Sequence, residues 1–270
     1  MDSESVLPKL TEQNNKALVN TGNAAIFIAL FHSQQLGFNR VIIPKDGGWF
    51  SYKYYPKLLG MEVVKAPTDW AKLNPEQLNK LAKAGSVLLY SVISGYFVLN
   101  NTKQIAEVMH KSKCLVIADV SASIGLIKLD KQEADFEVCS FGDNKPLAVG
   151  YGGFIATKFE LNKNLLKAFK FPEMLKEKLI ATVGNLKNSW QNMLETRAEL
   201  IDKLAKYCEI AHKGSLGVNI VVKGWDAQAV TFCKQQSLPY LKCPRYHRVN
   251  KKAISIELKT LFSTNPESFK

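Results

Sequence analysis

Six short apolar runs, at residues 40–44, 62–65, 87–91, 115–119, 136–140 and 153–157, constrain this chain more than any other feature of its sequence. They are rich in Val, Ile, Leu and Phe and too short for buried helices, the pattern of strands covered on both faces. Helical stretches separate most of them: 23–36, which opens at Thr21-Gly22-Asn23 and closes at Gly37, 51–59, which stops at Gly60, 75–84 behind the N-cap residue Asn74, and 102–111. Caps of this kind satisfy the backbone groups that a helix end leaves over. Alternating strands and helices demand crossover connections, so the expectation is a three-layer α/β/α sandwich with a mostly parallel sheet. The last strands follow one another too closely for crossovers, so one of them should run antiparallel.

The composition changes after about residue 157. A long helical stretch covers 175–211, with an interruption expected near Gly184, and strand-like segments at 218–222 and 253–258 bracket a helix at 226–236. The chain therefore divides into a large domain at 1–160 and a small C-terminal α+β domain at 161–270.

Composition narrows the function. With 46% hydrophobic and 22% charged residues, the chain reads as a globular protein. Its longest apolar runs are far short of a bilayer span and its acidic start is unlike a signal peptide, so a cytoplasmic protein with no membrane partner is expected. Five cysteines (114, 139, 208, 233 and 243) lie at no zinc spacing, which predicts free thiols and no metal site. The net charge of +12 is spread along the chain rather than gathered into blocks interleaved with aromatics. It fits a lysine-rich solvated surface better than a nucleic-acid stripe and supports a tRNA partner only weakly.

Three segments carry chemistry. Thr21-Gly22-Asn23 opens a helix, and free N–H groups with the helix dipole suit a phosphate there, although such residues also serve as plain caps. Asp119 ends an apolar strand at the rim where parallel sheets bind ligands; it could pair with a protonated ring nitrogen, or equally cap its loop through Ser121 or Ser123. Lys145 follows Ser140-Phe141-Gly142-Asp143-Asn144 and precedes Gly150-Tyr151-Gly152-Gly153, in a loop between two buried strands. A lysine so placed is suited to a Schiff base, and the glycines let the chain pass close beneath a cofactor.

In this order the segments resemble fold-type I pyridoxal-phosphate enzymes, the aspartate-aminotransferase fold, nearest to DegT-type sugar aminotransferases and to the class V group that includes cysteine desulfurases. The resemblance covers roughly residues 15–160, and the small domain more loosely. It implies pyridoxal 5′-phosphate as cofactor, held at its phosphate by Thr21, Gly22, Asn23 and Ser140, at its ring nitrogen by Asp119, and covalently by Lys145. The 26-residue gap from Asp119 to Lys145 suits these families. Where they carry Gln or His against the phenolic oxygen this chain has Ala122, for which Ser121 or Ser123 could substitute. Trp49, ahead of Phe50, is the candidate to stack on the ring. Arg245 or Arg248 would take a substrate carboxylate, and a homodimer is implied.

The leading functional expectation is an aminotransferase-like enzyme acting on an amino acid or other small amino-bearing molecule. Two alternatives stay open: a cysteine desulfurase or aminoacyl-tRNA-modifying elimination or sulfur-transfer enzyme, for which Cys243 is the candidate cysteine, and a catalytically idle binding module. The segment ahead of Thr21, short for the superfamily, speaks for the last.

Overall fold

The computed structural model describes residues 6–261. After a helical turn at Leu7–Leu10 come β1 (Asn15–Val19), α1 (Gly22–Gln35), β2 (Arg40–Pro44), α2 (Ser51–Leu58), β3 (Glu62–Ala66), α3 (Pro75–Leu81), β4 (Ser86–Ser91), α4 (Thr102–Lys111), β5 (Leu115–Asp119), β6 (Phe136–Ser140) and β7 (Gly153–Thr157). These seven strands form one sheet in the order β1-β7-β6-β5-β4-β2-β3. The five strands from β2 to β6 pair in parallel, and β7 runs antiparallel to both of its neighbours. The expected reversed strand is therefore β7, which a loop rather than a crossover helix joins to β6.

Alternation along the strands explains the layers. Val41 and Ile43 of β2, Val87 and Leu89 of β4, and Ile117 of β5 pack with α1 and α2 on one face. Ile42, Leu88, Val116 and Ala118 point the other way, against Leu78 of α3, Ile105 and Met109 of α4, and the long helix α6 described below. Because successive side chains face opposite sides, a sheet covered on both needs runs with no polar position. Burying each such Val, Leu or Ile contributes about 1.5–3 kcal/mol.

After β7 come α5 (Lys163–Ala168) and α6 (Lys176–Leu204), and the smaller C-terminal domain carries β8 (Ile220–Lys223), α7 (Ala227–Gln235), β9 (Tyr240–Cys243) and β10 (Ala253–Ile256). Its strands form an antiparallel sheet in the order β8-β10-β9. The expected interruption of the long helix is absent: α6 runs unbroken through Gly184, where a Cβ would meet nothing within 4 Å. Buried Leu179, Leu186 and Trp190 on either side anchor the helix to the core and outweigh the roughly 1 kcal/mol that one glycine costs.

Among the described residues no helix is long and apolar enough to cross a membrane.

Candidate active site

A cleft enclosing about 850 Å³ of empty space, its open mouth included, lies at the C-terminal ends of β4, β5 and β6, beside the start of α1. It is lined by Thr21, Gly22, Asn23, Trp49, Asp119 and Ser121, together with Ser140, Lys145 and Arg248. Carboxyl ends of parallel strands gather loops and helix N-termini, the usual place for a ligand on such a sheet.

The end of the cleft beside α1 is built from backbone. Thr21 is extended and caps α1 by accepting Ala24 N–H on Oγ1 at 3.0 Å, while Ala25 N–H returns to the Thr21 carbonyl. The N–H groups of Gly22 and Asn23 then have no acceptor within the helix. A Cβ on Gly22 would stand 2.4 Å from Ser140 Cβ, and one on Gly153 would stand 2.3 Å from the Cys139 carbonyl oxygen. Glycine at both positions is what brings the helix start, Ser140 and β7 into one cradle. Ser121 supports it by accepting the Ser140 N–H at 2.8 Å.

Asp119 is buried on the floor. Its Oδ1 accepts the Ser121 N–H at 2.9 Å and its Oδ2 accepts the Tyr52 hydroxyl at 2.6 Å, with Ser91 Oγ 3.0 Å from the same hydroxyl. Burial, reinforced by the Asp119 charge, pushes the Tyr52 phenol well above its ordinary value, so it remains a proton donor.

Lys145 sits in a loop whose ends are held by Phe141, which exchanges backbone bonds with Val149, Gly150 and Gly152. Its Nζ donates to Tyr96 Oη at 2.8 Å and lies 4.8 Å from the Trp49 ring centre. Trp49 Nε1 donates to Asn23 Oδ1 at 3.1 Å, so the ring is tied to the start of α1. Phe50 packs instead on His247, with ring centres 5.1 Å apart.

The small domain supplies the opposite wall. Arg248 is buried with Nε on Glu257 Oε1 at 2.7 Å, Nη2 on Glu257 Oε2, and Nη1 on the His247 carbonyl at 2.7 Å. Burial alone would raise the Glu257 carboxyl, but Arg248 and Lys259 hold it below the ordinary carboxylate range. Lys259, also buried, is pulled down to about 7 by burial and by Arg248, against the attraction of Glu257. Burial, with Arg248 beside it, lowers His247 to about 4, so the imidazole lining the cleft is neutral at pH 7. Arg245 is exposed, bonds the Lys242 carbonyl through Nε at 3.1 Å, and does not line the cleft.

Sequence reasoning passed over Tyr52, Tyr96, His247 and Lys259. A tyrosine wedged between a glycine and a phenylalanine, Gly95-Tyr96-Phe97, is the one local signal; His247 lines the cleft through the fold, and Tyr52 and Lys259 stand behind it against Asp119 and Glu257.

The profile of the DegT/DnrJ/EryC1/StrS aminotransferase family matches residues 3–212. The chain belongs to that family. A second profile, the MJ1341 family C-terminal domain, matches residues 162–265. Among curated proteins none matches the chain. Solved structures give the fold: 3-amino-5-hydroxybenzoic acid (AHBA) synthase superposes with a TM-score of 0.70 at 14% identity, covering 93% of this chain and 83% of its own. A structure of SPT with PLP gives 0.70 at 14%, covering 96% and 73%. SepCysS in complex with the SepCysE N-terminal domain gives 0.69 at 15%, covering 93% and 78%. This member of the aminotransferase family is thus a PLP-dependent transferase with the fold-type I architecture, and pyridoxal 5′-phosphate is its cofactor. The cleft fits that group: a helix start beside closely approaching glycines, a buried carboxylate on the floor and a lysine amine line the same space.

Proposed function

We propose that the chain is an aminotransferase acting on an amino acid or other small amino-bearing molecule, with Lys145 as the lysine that binds the cofactor covalently. The observation that carries this reading is the convergence of Lys145 Nζ, the Asp119 carboxylate and the open start of α1 on one cleft. When bound, pyridoxal 5′-phosphate supplies an electron sink for charge developing beside the substrate nitrogen.

The chain's own residues do the rest. Gly22 and Asn23 N–H groups, Thr21 and Ser140 bind the phosphate, aided by the α1 dipole. Asp119 holds a proton on the ring nitrogen, and the Tyr52 hydroxyl keeps that carboxylate in place. Trp49 covers the ring and limits water. Lys145 Nζ would move the substrate's α proton as general base. Arg248 serves a substrate carboxylate only through the N–H groups that Glu257 and His247 leave over, since its fork is already engaged. Cys243, which a desulfurase would need on a mobile loop, is buried on β9, and this favours transamination. A second copy of the chain is proposed to complete the mouth; exposed Phe50, Tyr54 and Leu58, a row four residues apart along α2, support it.

The test is an absorption spectrum of the protein with added pyridoxal 5′-phosphate, before and after borohydride, followed by peptide mapping. A visible cofactor band that reduction fixes onto Lys145, and that Lys145→Ala abolishes, is expected. A band unchanged by that substitution would sink the assignment.

A further inference from the structure

Tyr96 is a buried residue whose backbone lies at φ +68, directly after Gly95 at φ +56. A bulky side chain in the left-handed region costs about 1–2 kcal/mol and persists only where its surroundings hold it. Here they do. The Tyr96 carbonyl accepts both Val218 N–H at 2.7 Å and Asn219 N–H at 2.9 Å, and Gly95 N–H is fixed to the Gly47 carbonyl at 3.1 Å. The ring packs with Ile93 and Ala122 in a small apolar cluster of its own.

This strain delivers a hydroxyl to Lys145 Nζ at 2.8 Å. Tyr52 Oη is committed to Asp119 and Trp49 Nε1 to Asn23, while Ser121 Oγ accepts the Ser140 N–H and keeps its own proton to donate. Ala122, on the cleft wall beside Tyr96, offers only a methyl group. The charged groups that face the Tyr96 ring are Lys145, Arg248 and Lys259, whose cationic ends lie 5.0–5.4 Å from its centre, and Asp119. Burial holds the phenol above its ordinary value even against Lys145 and Arg248, so it keeps a proton to donate.

In pyridoxal 5′-phosphate the aldehyde carbon that an amine attacks is attached to the ring carbon next to the one bearing the phenolic oxygen. The neighbouring ring carbon on the other side carries the phosphate arm, so with that arm directed to the start of α1 a hydroxyl within hydrogen-bond distance of the attacking nitrogen can reach that oxygen. We propose that Tyr96 donates a hydrogen bond to the phenolic oxygen of the cofactor and so sets its charge, an assignment that rests on Lys145 being the attachment lysine.

The experiment uses the full chain loaded with pyridoxal 5′-phosphate, parent and Tyr96→Phe, with cofactor absorbance titrated over the pH range in which each stays folded. Phenylalanine retains the packing on Ile93 and Ala122. Without the donor the negative oxygen is less favourable, so its proton is held to higher pH. The midpoint of the spectral change should move up by about one pH unit, the size expected for one hydrogen bond to a charged oxygen. Where the parent band does not titrate, the short-wavelength band should gain over the long-wavelength one in the variant at a fixed pH. Matching spectra and titrations in a fully loaded variant would overturn the proposal while leaving Lys145 in its role. A parent with no band on Lys145 would take both down. Should Tyr96→Phe fail to fold or load, 3-fluorotyrosine at position 96, a stronger donor, should shift the spectrum the opposite way, and an unmoved spectrum overturns the idea.

Discussion

The two walls of the cleft are built in different ways. The floor and the end beside α1, from Thr21 through Asp119 to Ser140, consist of strand ends and a helix start, and their spacing is set by the sheet register and two glycines. The opposite wall is His247 and Arg248, with Glu257 and Lys259 behind them, and the charges of the buried Arg248, Glu257 and Lys259 interact closely. The first is rigid because the backbone leaves it no alternative. The second depends on protonation. A cofactor common to a family suits the first kind of wall, and a substrate that differs between members suits the second.

The contrast can be broken most severely on the floor. Asp119→Asn keeps the shape and the Ser121 contact but removes the charge, and turnover should fall about 10²–10³-fold, as when a preorganised electrostatic partner is lost. A loss confined to KM, measured in steady state, would show that the floor only binds.

Next in size is Gly22→Ala, which drives a methyl group to 2.4 Å from Ser140 Cβ. Overpacking of this kind costs about 1–3 kcal/mol. A lower melting temperature and weaker cofactor retention in dialysis are expected together; an unaffected cofactor affinity would contradict a backbone cradle.

On the opposite wall the effect should depend on pH. Lys259 is held near 7 in the folded protein and returns to about 10.4 when unfolded, so between these values the unfolded chain binds more protons and stability rises with pH. Below pH 7 a buried ammonium burdens the fold. Lys259→Met should therefore gain most in melting temperature over the parent at pH 6, and this advantage should shrink by pH 9. A constant difference would mean that Lys259 does not titrate in the folded state.

The smallest effect is expected at the mouth. His247→Phe keeps the contacts with Trp49 and Phe50 but loses the polar edge, and a rise in KM of less than about tenfold with kcat unchanged should follow. A fall in kcat instead would make His247 part of the chemistry.

The same contrast governs what the sequence discloses. The sandwich is legible because strands buried on both faces have to read as continuous apolar runs, and a reversal among its last strands because they follow one another too closely for crossovers. β1 escapes this, since Asn15–Val19 lies on the edge of the sheet and buries only Ala17 and Val19. On the floor, Thr21, Asp119 and Lys145 stand next to the element boundaries that fix them. Tyr52 and Tyr96 do not: their partners lie 67 and 49 residues away, and a tyrosine on a helix or in a turn looks like ordinary packing until the fold joins the ends. Gly184 misleads for the opposite reason, as its local preference is real but small beside the packing of α6.

The bonds that bring the walls together join distant parts of the chain. Asn250 N–H reaches Asp46 Oδ2 at 2.7 Å across 204 residues, and Gly47 N–H meets the Tyr246 carbonyl at 2.7 Å. Closing so long a loop is slow and waits on everything between its ends. On the ribosome all the residues of the floor have emerged by residue 153, whereas the opposite wall has to await the last strands. A chain stalled or truncated between those points would lack the wall that carries Arg248, so the order of synthesis makes that half of the cleft the last to exist.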